Sequence, residues 1–177
     1  MDRVLAFDQW LFLFLNHLPH TGLSNLLALT LSGVGTAGII WFIMTAILFL
    51  KEQKKDHRFF LPFVLSGGTS WAVVELVLKP LFGRIRPTEL MGAIIVGSGS
   101  DGFSFPSGHA TIAFAMATVL AHKEPKWRWV FISLAVLISL SRIYLGKHYP
   151  LDVIMGGLIG TAIGFLSRIV TQKHVQA

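Results

Sequence analysis

The sequence predicts an all-α integral membrane protein, a helical bundle with five spanning helices and a short N-terminal helix. Its composition indicates this class, because 53% of the 177 residues are hydrophobic and only 14% are charged, unlike soluble proteins. The length fits one domain, residues 1–177. The absence of cysteine excludes disulfides, thiolate metal sites and cysteine nucleophiles.

The net charge of +6 alone would suit a nucleic-acid-binding protein, but the arrangement of the charges does not. Basic residues that bind nucleic acid form a patch or stripe on a soluble surface. Here they occur in short clusters between apolar runs, which is typical of loops that flank membrane helices. We therefore expect a membrane as partner and no nucleic acid, and the sequence indicates no obligate protein partner.

Five apolar runs predict the spanning helices, because a helix needs about 20 mainly apolar residues to cross a bilayer. The first and third runs contain no Lys, Arg, Asp or Glu, while the second contains only Glu75 and the fourth only Arg142. The fifth is uncharged and reaches the required length if residues 149–151 begin the helix. The runs are 21–50, 59–78, 102–121, 129–146 and 153–167.

The N-terminal segment 4–18 is shorter and more polar than these runs. Asp8 and Asn16 are interleaved there with apolar residues such as Trp10 and Phe14. This pattern favours an amphipathic helix lying in the membrane interface, with a short sixth span as the alternative.

The distribution of Lys and Arg predicts the orientation in the membrane. The loops 51–58 and 122–128 lie at the same end of the predicted bundle as the C-terminal tail. These segments hold nine of the 15 basic residues: Lys51, Lys54, Lys55, Arg58, Lys123, Lys126, Arg128, Arg168 and Lys173. The positive-inside rule assigns this end to the cytoplasm. The opposite end is then extracytoplasmic, in what we expect to be the bacterial inner membrane.

Small residues at two places predict close packing between helices. Residues 66–70 read SGGTS, and Gly156, Gly160 and Gly164 recur at four-residue spacing. Small residues of this kind let helix backbones approach each other in lipid. We assign them no role in the chemistry.

Polar and titratable residues collect at the end that faces away from the basic loops. The second span ends in KPLFGRIRP, the third opens from FPSGH, the fourth ends in SR and the fifth opens from KHYPLD. Because successive spans alternate in direction, all four segments reach the same surface of the bundle. The residues that can meet there are Lys79, Arg86, Ser107, His109, Arg142, His148 and Asp152.

This set of side chains favours the binding and transfer of a phosphoryl group. Arginines and a lysine suit phosphate oxygens, and Ser107 with Gly108 would open a helix whose N-terminus favours an anion. His109 and His148 can divide the roles of nucleophile and proton donor. Asp152, in the first turn of the fifth span, can orient His148 and stabilise its imidazolium.

Three segments, in this order, resemble the signature motifs of the type 2 phosphatidic acid phosphatase superfamily. They are KPLFGRIRP at 79–87, PSGH at 106–109 and SRIYLGKHYPLD at 141–152. The resemblance implies a lipid phosphatase without metal or other cofactor. In it His148 forms a phosphohistidine, His109 protonates the leaving group and later activates water, and Asp152 orients His148. It also implies that the phosphate is held by Lys79, Arg86, Ser107, Gly108 and Arg142.

Within that superfamily the chain looks most like the small bacterial undecaprenyl diphosphate phosphatases. The implied substrate is therefore a lipid phosphate or diphosphate, foremost undecaprenyl diphosphate. Phosphatidylglycerophosphate, phosphatidic acid and the 1-phosphate of lipid A are the alternatives within the same frame. A carrier that binds a lipid phosphate without cleaving it is the alternative of another class, but binding alone needs neither of the two histidines.

Three further charged residues have no assigned role in the motifs. Glu75 lies within a span, where a carboxylate is costly, and four residues before Lys79 on one helix face. We expect it to pair with Lys79 and position it, and a purely structural contact between helices is the equal alternative. Arg84 and Lys147 are expected to be interfacial charges.

Overall fold

The computed structural model describes residues 2–51, 60–98 and 101–176, and these residues form a helical bundle without a β-strand. A π-helix, Val73–Leu78, and three short 3-10 turns complete the helical part. The predicted all-α membrane class is confirmed. The loop 51–58 lies, except for Lys51, outside the described residues. The α-helices are α1 (Asp2–Asn16), α2 (Gly22–Gly35), α3 (Ile39–Lys51), α4 (Phe60–Ala72), α5 (Lys79–Phe82), α6 (Gly108–Lys123), α7 (Arg128–Tyr144) and α8 (Pro150–Gln176).

Three helical stretches among the described residues are long and apolar enough to cross a membrane: Phe60–Phe82, Pro125–Tyr144 and Pro150–Thr171. They correspond to the second, fourth and fifth predicted spans. The first of them is continuous because the π-helix joins α4 to α5. The third predicted span starts later than expected, since α6 begins at Gly108 and has 16 residues. The total of five spans therefore stays a prediction.

The first predicted span, 21–50, is not one helix. α2 and α3 meet at an angle of 66° around the 3-10 turn Thr36–Gly38. Gly38 has a φ of 76°, and a Cβ there would lie 2.8 Å from the sulfur of Met116 in α6. The glycine thus permits both the bend and the close approach of α6. The apolar run continues through the break, so hydropathy alone does not reveal it.

α6 lies at the centre of the bundle and packs against α4, α7 and α8. A Cβ at Gly156 would lie 2.7 Å from the Ser107 carbonyl oxygen, and one at Gly164 would lie 2.5 Å from that of Ala115. Gly160 is packed even more tightly, against the backbone of Thr111. The predicted close packing along these glycines is confirmed, and it fixes the start of α8 against the start of α6.

The apolar core lies towards the end of the bundle that carries the α6–α7 connection. It contains large side chains from four helices, all at most 1% exposed, including Trp41, Phe63, Met116, Leu120 and Ile138. The helices are held there by packing. The buried charged residues near His148 lie at the other end.

α1 buries Asp8 and Asn16 and exposes three of its four aromatic residues. Asp8 and Asn16 are 2% and 0% exposed. Phe7, Trp10 and Phe14 form an exposed row, with ring centroids 5.6 and 5.9 Å apart. With 15 residues α1 is shorter than the roughly 20 that a span requires, which fits the predicted amphipathic helix in the interface.

Candidate active site

Four helix ends meet at the polar end of the bundle, as the sequence predicts. The backbone N–H of Ser107, just before α6, donates to the carbonyl oxygen of Asp152 in the first turn of α8 at 3.0 Å. The chain between α7 and α8, which carries His148, is buried throughout. The segment after α5 reaches the same place, since Arg86 contacts His148 at 3.2 Å. All three sequence motifs therefore border one site.

His148 is 2% exposed, and its two ring nitrogens have different surroundings. Nδ1 lies 2.8 Å from the carbonyl oxygen of Ser104, which can only accept, so Nδ1 carries the proton. Nε2 faces a donor, Nη1 of Arg86, at 3.2 Å and is therefore the unprotonated nitrogen. Burial lowers the pKa of His148 to about 4, with Arg86 and Arg142 acting in the same direction against Asp152. At neutral pH the ring is uncharged, and the lone pair of Nε2 faces Nη1 of Arg86.

Asp152 is fully buried and accepts hydrogen bonds from several directions. Its Oδ2 accepts from the Ser104 hydroxyl at 2.5 Å and from the Tyr149 backbone N–H at 2.9 Å. The same oxygen lies 3.6 Å from Nδ1 of His148. Its Oδ1 accepts from Nη1 of Arg84 at 2.6 Å. The carboxylate is thus fixed beside the protonated side of the His148 ring, where it favours an imidazolium.

Three cations lie near the two histidines: Arg86 and Arg142 interact electrostatically with His148, and Lys79 with His109. The guanidinium of Arg86 is held by the carbonyl oxygens of Lys147 and Gly102, at 2.8 and 3.1 Å. Arg142 is 8% exposed and donates to the hydroxyl of Ser32. Lys79 is 9% exposed. A buried cluster of like charges is costly unless an anion completes it, so these side chains are suited to bind an anion.

The start of α6 adds uncharged donors to this anion site. Ser107 occupies the N-cap position, yet its side chain makes no capping hydrogen bond. Its hydroxyl is buried and has no partner within the described part of the chain. The first N–H groups of a helix lack intrahelical partners, and those of Gly108 and His109 are among them. A phosphate at this point would satisfy both the hydroxyl and the helix N-terminus.

His109 borders the same site from the first turn of α6. Its Nε2 lies 3.3 Å from the hydroxyl of Thr36, in the turn between α2 and α3. That hydroxyl already donates to the carbonyl of Ser32, so it accepts the proton of Nε2. Arg142 and His148 are close enough to His109 to interact with it electrostatically. The bend that the sequence did not predict thus brings a hydrogen-bond partner to a predicted site residue.

Glu75 lies in the π-helix that precedes Lys79. Its Oε1 accepts from Nζ of Lys79 at 2.6 Å, which confirms the predicted pairing. A Cβ placed on Gly108 would lie 3.1 Å from the same oxygen, so Glu75 also lines the start of α6. π-helical turns often occur at functional sites. Here the carboxylate of Glu75 lies beside both Lys79 and the start of α6.

Sequence reasoning missed four residues of this region: Asp8, Arg84, Ser104 and Lys147. Ser104 contacts both His148 and Asp152. Arg84, predicted to be interfacial, is 21% exposed and contacts both Asp8 and Asp152, so that prediction is wrong. Lys147 is 5% exposed and donates to the carbonyl of Ser98, so it is not interfacial either. One signal in the sequence could have identified Arg84 as a residue of the site. It lies two residues before Arg86, within the same motif.

The geometry suits displacement at phosphorus: an anion site, an uncharged nitrogen nucleophile at its edge, and a second histidine beside it. Among the residues that the structure describes, no group of three or more His, Asp or Glu side chains could hold a metal ion.

Comparison with known proteins identifies relatives that match most of the chain. A family model described as the PAP2 superfamily matches residues 59–176. An undecaprenyl-diphosphatase of Sulfolobus acidocaldarius is 34% identical over 170 residues, covering 94% of this chain and 79% of the relative. A lipid A 4'-phosphatase of Bacteroides thetaiotaomicron is 32% identical over 151 residues, covering 78% of this chain and 67% of the relative.

Solved structures agree with these matches. The LpxE structure of Aquifex aeolicus has a TM-score of 0.71 at 31% identity and covers 89% of this chain and 92% of that one. A transmembrane PAP2 type phosphatidylglycerolphosphate phosphatase of Bacillus subtilis shares the fold, with a TM-score of 0.72 at 23% identity, covering 98% of this chain and 88% of that one. The resemblance noted from the motifs is confirmed, and the chain belongs to the PAP2 superfamily of membrane lipid phosphatases.

Proposed function

We propose that this phosphatase removes the terminal phosphate of undecaprenyl diphosphate through a phosphohistidine at His148, without a metal ion or other cofactor. One observation carries the mechanism. Ser104 holds the protonated Nδ1 of His148, so that the lone pair of Nε2 points to the side where Arg86 lies. A nucleophile that is uncharged at neutral pH and faces a cationic anion site needs no further activation.

In the first step Nε2 attacks phosphorus, and the bond from phosphorus to the leaving lipid phosphate oxygen breaks. The electron pair goes to that oxygen, which takes the proton from His109. The phosphorylated ring of His148 keeps its proton on Nδ1 and becomes positive, and Asp152 stabilises this charge. The phosphoryl oxygens are held by Lys79, Arg86, Ser107, Gly108 and Arg142.

In the second step water attacks the phosphorus of the phosphohistidine. His109, now neutral, takes a proton from this water, and the P–N bond breaks with its electron pair returning to Nε2 of His148. Inorganic phosphate leaves, while the two histidines regain their starting protonation states. One difficult displacement is thereby divided into two easier ones.

The choice of lipid rests on the relatives. The undecaprenyl-diphosphatase of Sulfolobus acidocaldarius aligns with 94% of this chain, which favours undecaprenyl diphosphate. A lipid A phosphate is the second candidate, favoured by the 32% identical lipid A 4'-phosphatase. Either lipid presents a terminal phosphoryl group of the same shape to the site.

We further propose that the site opens at the extracytoplasmic face of the bacterial inner membrane. Support comes from the charged residues of the two bundle ends. Lys126 and Arg128, which are exposed, lie at the end of α7 opposite to Arg142. Basic residues of this kind remain in the cytoplasm.

The test is phosphate release by the purified protein in detergent with excess chelator. The substrates are undecaprenyl diphosphate, lipid A, phosphatidylglycerophosphate and phosphatidic acid, each with a His148→Ala control. We expect release from undecaprenyl diphosphate, a fall on the order of 10⁴-fold in the control, and a phosphorylated protein that is stable to alkali and labile to acid.

Other outcomes would overturn parts of the proposal. Faster phosphate release from lipid A would make lipid A the substrate instead of undecaprenyl diphosphate. Loss of activity with chelator, restored by a divalent cation, would refute metal independence. No release by wild-type protein from any of the four lipids, with head-group binding retained in His148→Ala, would indicate the carrier instead.

A further inference from the structure

A chain of charged side chains links α1 to the carboxylate beside His148. Arg84 donates from Nη2 to Oδ2 of Asp8 at 2.5 Å and from Nη1 to Oδ1 of Asp152 at 2.6 Å. Asp8 and Asp152 are 2% and 0% exposed, so water screens neither contact. The guanidinium lies 4.1 Å from the centroid of the Tyr149 ring. Arg84 therefore bridges two buried carboxylates in a fixed orientation.

The second oxygen of Asp8 is also in use. Its Oδ1 accepts from the backbone N–H of Leu151 at 2.8 Å. Leu151 lies in the first turn of α8, where the N–H groups have no intrahelical partner and a negative charge is favourable. Asp8 thus holds the first turn of α8 in two ways. It accepts directly from the backbone N–H of Leu151, and it reaches the side chain of Asp152 through Arg84.

We infer that Asp8 and Arg84 are positioning residues for the phosphatase reaction. They fix the orientation of Asp152, and one guanidinium between two carboxylates leaves one net negative charge to face the imidazolium of His148. The inference rests on the proposed roles of His148 and Asp152. It gives α1, which precedes the residues 59–176 matched by the family model, a part in the chemistry.

The two contacts of Arg84 require a fork. A guanidinium presents two N–H groups in one plane and can reach both carboxylates, whereas the ammonium of lysine is a single point charge. Arg84→Lys keeps the charge and loses one contact. A role in orientation therefore predicts that lysine cannot replace arginine, while a role in charge alone predicts that it can.

The experiment compares Asp8→Asn and Arg84→Lys with wild-type protein in detergent, using the lipid that the wild type hydrolyses. For both variants we expect kcat to fall about 10- to 100-fold with KM unchanged, because small misplacement of a reacting group costs rate rather than binding. The rate of phosphohistidine formation in a single turnover should fall by the same factor. In an Asp152→Asn background, Asp8→Asn should cause no further loss, since it acts through Asp152.

Asn16→Ala is the matched control on α1. Asn16 is buried like Asp8, but it donates to the carbonyl oxygens of Ile94 and Tyr144 and makes no contact with Asp152. It should lower the melting temperature and leave kcat per folded molecule unchanged. An equal loss of kcat in Asn16→Ala, or a full loss added by Asp8→Asn on top of Asp152→Asn, would overturn the inference. If His148→Ala stays active, the proposed mechanism itself has failed, whatever the Asp8 variant does.

Discussion

Charged residues lie at both ends of the bundle, but the two ends hold them differently. At the end that we assign to the cytoplasm, Lys126 lies 3.9 Å from Glu124, and its side chain is 74% exposed. At the other end, the Arg84 side chain is 21% exposed and contacts two carboxylates at 2.5 and 2.6 Å. Residues of the same types are thus solvated at one end and buried in contacts at the other.

The difference indicates which charges are candidates for a role in the chemistry. An exposed ion pair contributes between 0 and about 1 kcal/mol, and basic residues at such a surface chiefly set the orientation in the membrane. Burying charges within a membrane protein costs free energy, and the close packing of helices does not need buried charges. A cluster of buried charges around His148 is therefore better explained by a reaction than by stability.

The largest effect in this comparison is expected for Asp152→Asn. The substitution keeps the shape of the side chain and removes the charge that faces the imidazolium formed when His148 attacks. We expect kcat to fall on the order of 10³-fold. Phosphate release measured beside a thermal melt checks this, and full activity in a folded Asp152→Asn protein would contradict the orienting role.

The pH profile should reflect the burial of the site. Because burial lowers the pKa of His148 to about 4, the nucleophile is neutral above that pH and becomes protonated as the pH falls through it. We expect the acid limb of kcat/KM to lie near pH 4, with a tenfold fall per pH unit below it. An alkaline limb should accompany it, since His109 must carry a proton. An acid limb near pH 6.5, the value of a solvated histidine, would show that His148 is not buried in the working enzyme.

The residues of the motifs were predictable because topology alone brings them together. Spans that alternate in direction place the end of α5 and the starts of α6 and α8 at one surface. The pairing of Glu75 with Lys79 followed from their spacing on one helix. Local rules of this kind need no knowledge of how the helices are turned relative to one another.

The contacts that the sequence did not predict all depend on how the helices are rotated relative to one another. Arg84 is separated from Asp152 by 68 positions and from Asp8 by 76. No periodicity relates these residues, and Asp8 was read as the polar face of an interfacial helix. The break between α2 and α3 was not predicted for another reason. Gly38 interrupts the helix without interrupting the apolar run.

The smallest effect in the series is expected for Glu75→Gln. Together with Glu124→Gln, it compares one Glu–Lys pair from each end of the molecule. Glu75 contacts Lys79 at 2.6 Å, whereas Glu124 lies 3.9 Å from Lys126. The Glu75 side chain is 35% exposed, so its pairing with Lys79 is partly screened. We expect Glu75→Gln to lower kcat/KM about fivefold, as for the loss of about 1 kcal/mol, because Lys79 loses the contact that holds it at the anion site. Glu124→Gln makes the same chemical change at the exposed end and should leave kcat/KM unchanged. If both variants have the same kcat and KM as wild-type protein, Glu75 only makes a structural contact between helices. In that case not every charged residue at the polar end contributes to the reaction.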